Sequence, residues 1–171
     1  MRFLRTFIKT IDQVNRWLAL AGSVLMPAMV VAISIEVVCR YVFGKPTVWA
    51  FDIAIFTFGY CGLLAGPYVL KLKEHINVDI IYARLSPRAQ AILDSITGPL
   101  IFFFLVLVIT YCWGYAMSSL RLHERTATEW GPPVGHYKLM IPIGATLLLL
   151  QGIANWIRSL YRAITDKELD A

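Results

Sequence analysis

A few side chains in this 171-residue chain have the type and spacing to do chemistry. Glu36 and Arg40 are four residues apart, so on a helix they share a face and can pair. Asp52 falls in the first turns of the next apolar run, where a helix dipole favours a carboxylate. His75 and Asp79 repeat the four-residue spacing inside KLKEHINVDI (71–80), setting an imidazole that titrates near neutral pH beside an acid. Gln151 and Asn155 do so again in the last apolar run, where amides can bond to a neighbouring helix. Such groups can either relay protons and couple ions, or pair helix ends structurally. The position of each relative to the elements that carry it decides between these roles.

Composition places those elements in a membrane. The chain is 58% hydrophobic and only 16% charged, and its mean hydropathy is +0.63. Soluble domains run near 45–50% apolar and about 25% charged. Four windows lack any charged side chain: Leu18–Ile35, Ile53–Leu70, Ser95–Leu120 and Leu139–Ile157. Each is long enough to cross a hydrocarbon core of about 30 Å, which takes roughly 20 helical residues. The alternating polarity of barrel strands is missing. The expected fold class is an all-α integral membrane protein, one domain over 1–171, with spans at about 18–42, 50–70, 95–120 and 139–158 and a tail over 159–171. The first span is too long and too poorly flanked for a cleaved signal peptide, so the protein is expected to keep it.

The net charge of +5 follows topology. Arg2, Arg5, Lys9, Arg16, Lys71, Lys73, Arg84, Arg88, Arg158, Arg162 and Lys167 fall on one side, and Arg40, Lys45, Arg121, Arg125 and Lys138 on the other. The positive-inside rule puts both termini and the 71–94 segment in the cytoplasm. Nucleic-acid binding would need a basic patch on a soluble domain, and the sequence offers none.

Residues 1–17 read as an amphipathic interfacial helix. Phe3, Leu4, Phe7, Ile8 and Ile11 share one face, while Arg2, Arg5, Lys9, Asp12 and Arg16 point largely away, a pattern suited to membrane lipids. Trp17 is the expected turn into the first span. Gly44-Lys45-Pro46 breaks that span, and Thr47 is the expected N-cap of the second helix. KLKEHINVDI becomes the elbow between spans two and three, with Ser86-Pro87 opening a third helix that runs to about Leu120. Pro132 and Pro133 keep the last loop non-helical.

No Ser-His-Asp, HExxH, P-loop or dinucleotide pattern occurs, so no catalytic residue is expected. His75, His123 and His136 fall in loops, whereas a haem-binding bundle needs them inside its helices. Cys39, Cys61 and Cys112 read as separate buried thiols, and no metal or cofactor is expected. No polar pathway lines the spans, as a lone pump or channel would require. That pattern fits a scaffold for a partner.

Three passages resemble a known family, the DctQ-like small permease subunit of tripartite ATP-independent periplasmic (TRAP) transporters. In EVVCRYVFGKPTVWAFDIA, Arg40, Pro46 and Trp49 match the pattern around the first external turn, with Asp52 as the nearest acid where the family usually has Glu. His75, Val78 and Asp79 match a His-x-x-Val-Asp signature, and GPPVGHYKLMIPIGATLLLLQGI matches the approach to helix four. The resemblance covers roughly 18–160. It implies a non-catalytic subunit of the bacterial inner membrane, paired with a large permease subunit and fed an organic acid by a periplasmic binding protein, with sodium driving uptake. On this reading Glu36, Arg40, Trp49, Asp52, His75, Asp79 and Gln151 are structural or subunit-interface residues. Two rivals come from other classes: a stand-alone homodimeric four-helix exporter coupled through Glu36, and a haem-b membrane anchor.

The charge asymmetry yields a direct test. A reporter fused after Ala171 should report the cytoplasm and one inserted within 126–129 the periplasm. The reverse pattern would overturn the topology and move His75 outside.

Overall fold

In the computed structural model, which describes residues 2–72 and 87–165, the chain forms four helices. They are α1 (Arg2–Tyr41), α2 (Ala50–Lys71), α3 (Pro87–Arg121) and α4 (Gly135–Thr165). All four are long and apolar enough to cross a membrane, which establishes the expected all-α membrane class. Among the described residues the extended structure is one isolated antiparallel bridge, Arg125 to Pro133. The 73–86 segment, and with it His75, Asp79 and most of the KLKEHINVDI elbow, lies outside the described residues.

Hydrocarbon provides no hydrophobic drive between helices, so packing has to come from close approach and polar contacts. The helices pair in the order α1–α2–α4–α3, with a smaller contact between α1 and α4. They make an open row in which α4 is central, and 28% of its most apolar window is buried against 11% for each of the others. Both α1 and α3 therefore present long apolar faces outward, including Val24, Val30 and Val31 on one flank and Leu100, Phe103 and Phe104 on the other.

Three elements differ from the sequence reading. α1 does not turn at Trp17; its 40 residues run unbroken, about 60 Å at 1.5 Å per residue. Its first turns are held by the bundle, with Ile8, Ile11 and Asn15 buried. α4 likewise continues through 159–165, where a polar tail was expected. Of the three thiols only Cys61 is buried; its sulfur lies 3.2 Å from the Gly22 carbonyl. Each helix also contains one interior proline (Pro27, Pro67, Pro99 and Pro142), a residue that packing and side-chain hydroxyls make tolerable in membranes. The Thr146 hydroxyl, for example, donates to the Pro142 carbonyl at 2.7 Å.

Glycines set the spacing of α4 from its neighbours. A Cβ on Gly98 of α3 would stand 2.3 Å from Trp156 Cδ1, and the indole cannot swing away because its N–H donates to the Ser95 carbonyl at 2.9 Å. Gly98→Ala is therefore expected to destabilise by about 1–3 kcal/mol through overpacking. Unfolding of the detergent-solubilised protein should show it, and an unchanged midpoint would refute the close approach.

Candidate functional site

Polar side chains gather at the two ends of the row. The terminal end holds the start of α1, the end of α2 and the end of α4, and its hub is Asp12, whose side chain is only 13% exposed. Arg158 donates to Asp12 Oδ2 at 2.5 Å and Lys71 approaches the same oxygen at 3.3 Å. Gln151 Nε2 donates to Asp12 Oδ1 at 3.1 Å and to Asn155 Oδ1 at 3.2 Å. An ionised carboxylate can only accept, so the Gln151 amide must turn its nitrogen to Asp12 and its oxygen to Asn15 Nδ2, 2.7 Å away. Asn155 Nδ2 completes the set by donating to the Leu70 carbonyl at 2.8 Å, in the last turn of α2. One carboxylate thus ties three helices together.

Sequence reasoning anticipated that Gln151 and Asn155 could bond to another helix, but it put Asp12 on the outward face. The overlooked signal was spacing. Ile8, Asp12 and Asn15 recur at i, i+4 and i+7, and Gln151, Asn155 and Arg158 do the same on α4, so two stripes meet.

The opposite, loop end carries the 42–49 and 122–134 connections. Glu36 receives Arg40 twice at Oε1, from Nε at 3.0 Å and Nη2 at 2.6 Å. Its other oxygen accepts from the Thr47 amide at 2.7 Å and from the Thr47 hydroxyl. The pairing of Glu36 with Arg40 is as the spacing predicts, but Thr47 does not cap α2. Trp49, half-buried, holds the N-cap position and makes no side-chain cap hydrogen bond. Thr47 instead folds the turn back onto α1, a reversal made possible by Gly44 at φ +61°.

Asp52 is 3% exposed and accepts from the Thr128 hydroxyl at 2.6 Å. The first turn of α2 supplies the positive end of a helix dipole to this acid. Its partner sits in a loop closed by backbone bonds from Thr126 to Pro132 and from Val134 to Glu124, both 3.0 Å. Lys138 donates to Glu124 at 2.6 Å and lies 4.1 Å from the centre of the Tyr115 ring. The Lys138 hydrogen bond holds the Glu124 carboxyl below its ordinary range, so on the acid side this clamp is retained through the ordinary carboxylate range and is lost as pH falls through the lowered value. His136 opens α4 instead of lying in a loop, edge-on to Phe56 at 5.4 Å, and His123 adopts φ 48° beside the Arg121 carbonyl.

The structure thus joins Glu36 to Arg40 and Thr47, Asp52 to Thr128, and Gln151 to Asp12 and Asn15. It does not bring Asp52 or Trp49 to the Glu36–Arg40 pair through any hydrogen bond among the described residues. Each of these carboxylates is bonded within its own chain, and the helices that bear them stand in an open row.

These features define a polytopic helical membrane subunit whose polar groups fasten its own helices. Residues 29–162 match the family described as tripartite ATP-independent periplasmic transporters, DctQ component. The chain belongs to that family, and it is a multi-pass protein of the bacterial inner membrane and a membrane component of a transporter. It is also similar to the sialic acid TRAP transporter permease protein SiaT of Haemophilus influenzae (strain 86-028NP), 23% identical over 104 residues. That stretch covers 61% of this chain but only 16% of the longer relative.

The Asp12 hub predicts a coupled loss. Asp12→Asn leaves Lys71 and Arg158 without their acid. Their side chains are 30% and 25% exposed, so the cost should fall between surface and buried pairs, roughly 2 kcal/mol. Combining Asp12→Asn with Arg158→Leu should cost less than the sum of the two changes, and additive losses would show that the pair is not coupled.

Proposed function

We propose that this chain is the small membrane subunit of a sodium-coupled, binding-protein-dependent TRAP transporter importing an organic acid, and that it scaffolds the large permease subunit. The observation that carries the reading is the engagement of Asp12, Glu36 and Asp52 inside the chain. A coupling carboxylate has to exchange ions or protons with a pathway, whereas these fasten helices and loops. An exporter driven through Glu36 would need that acid free, yet Arg40 and Thr47 occupy both of its oxygens. Family membership supports a large permease subunit and a periplasmic binding protein as partners. The concentration of basic residues at the terminal end supports cytoplasmic termini.

The test is reconstitution. Proteoliposomes holding the large and small subunits, given the binding protein and an inward sodium gradient, should take up a labelled organic acid from a panel of dicarboxylates and sugar acids. Omitting this chain should abolish uptake. Arg40→Ala should reduce co-purification with the large subunit without changing the sodium dependence of whatever complex remains. Uptake by this chain alone would overturn the scaffold role.

A further inference from the structure

At the loop end a groove of about 440 Å³ opens between α1 and α2. Its lining includes Phe51, Ala54 and Phe58 of α2, Glu36 and Arg40 of α1, and Tyr137 of α4. Ala54 is half-buried, while Phe51 and Phe58 are each 64% exposed, so a small side chain lies between projecting rings. Arg40 stands in its lining with a side chain 56% exposed. Nε and Nη2 bind Glu36, and Nη1 has no partner among the described residues.

We infer that this groove seats a transmembrane helix of the large permease subunit, with a hydrogen-bond acceptor on that helix at the level of Arg40. The inference rests on the reading of this chain as the small subunit, and adds which flank of the row meets the partner. Three observations select a helix as the occupant. Ala54, small and only half-buried, lets a second backbone approach closely, which is how helices associate where lipid removes the hydrophobic drive. The guanidinium keeps its Nη1 donors unpaired among the described residues, and an acceptor on a helix can answer them with fixed geometry. In the Haemophilus influenzae permease the matching stretch is 16% of one longer polypeptide, so a far larger protein mass is covalently tethered to that stretch. The opposite flank is different in kind. Leu100, Phe103, Phe104 and Leu107 belong to α3 alone and carry no charge, a surface suited to acyl chains.

The experiment places a photo-crosslinking phenylalanine analogue at Phe58 or at Phe104 in the full complex in native membranes. Substitution at position 58 should yield a crosslink to the large subunit at least ten times stronger than substitution at 104. A filled groove gives the second measurement: Ala54→Trp should cut co-purified large subunit at least tenfold, while Leu107→Trp on the other flank leaves it unchanged. A crosslink from 58 to lipid alone, or to a second copy of this chain, would overturn the proposal. So would loss of the partner with Leu107→Trp but not with Ala54→Trp, which would relocate the interface while leaving the subunit reading intact. If Ala54→Trp fails to accumulate in the membrane, the crosslinks at 58 and 104 decide alone. Failure of the wild-type chain to co-purify with any large subunit would instead refute the subunit reading itself.

Discussion

Asp12 accepts from Arg158 at 2.5 Å and from Gln151 at 3.1 Å, and much else follows from that meeting. Within a bilayer, apolar side chains gain little by leaving lipid for one another, so helices adhere through hydrogen bonds and close packing. One carboxylate shared by α1, α2 and α4 joins elements far apart in the chain. Without it α1 would touch α4 through little else, because the contact between these two helices is small. The same constraint explains why the polar groups at the loop end are also taken up locally: Glu36 by Arg40 and Thr47, and Asp52 by Thr128. Charged groups near hydrocarbon need partners, and for these three carboxylates the partners come from the chain itself.

The central place of α4 follows from its two faces. Gln151, Asn155 and Arg158 look toward α1 and α2, while Trp156 and Ser159 bond to Ser95 and Asp94 of α3. Gly98 opposite Trp156 lets the second face come close. Among the described residues, an open row built on such a helix has two outer flanks.

The membrane class and the four spans were legible from charge-free windows, because hydrocarbon penalises charge over a fixed length. The pairing of Glu36 with Arg40 was legible because i, i+4 geometry is local. What escaped was set by distant segments. Asp12 looks solvent-facing when its own helix is read alone, and its partners lie 139 and 146 residues away. Thr47 has the residue type of an N-cap, but Glu36, 11 residues earlier, claims both its amide and its hydroxyl. Asp52 showed its preference for a helix start, and Thr128, 76 residues later, could not be read from that preference. The unbroken α1 escaped for a similar reason: the turns before Trp17 are held by α2 and α4, and the spacing of Ile8, Asp12 and Asn15 gains its meaning only beside the matching stripe on α4.

The long separation between Asp12 and Arg158 also bears on how the protein is made. α1 and α2 are neighbours in both sequence and space, as are α3 and α4, so each pair can form as a hairpin while the chain is being synthesised. Asp12 emerges early, and the guanidinium that holds it arrives 146 residues later. Until then the first hairpin carries a carboxylate with Lys71 as its cation, and the contacts of α2 with α4 are also still to form. Closing that ion pair therefore completes a junction that α2 and α4 also make, and a chain interrupted before α4 would leave Asp12 to Lys71 alone at the entry to the membrane.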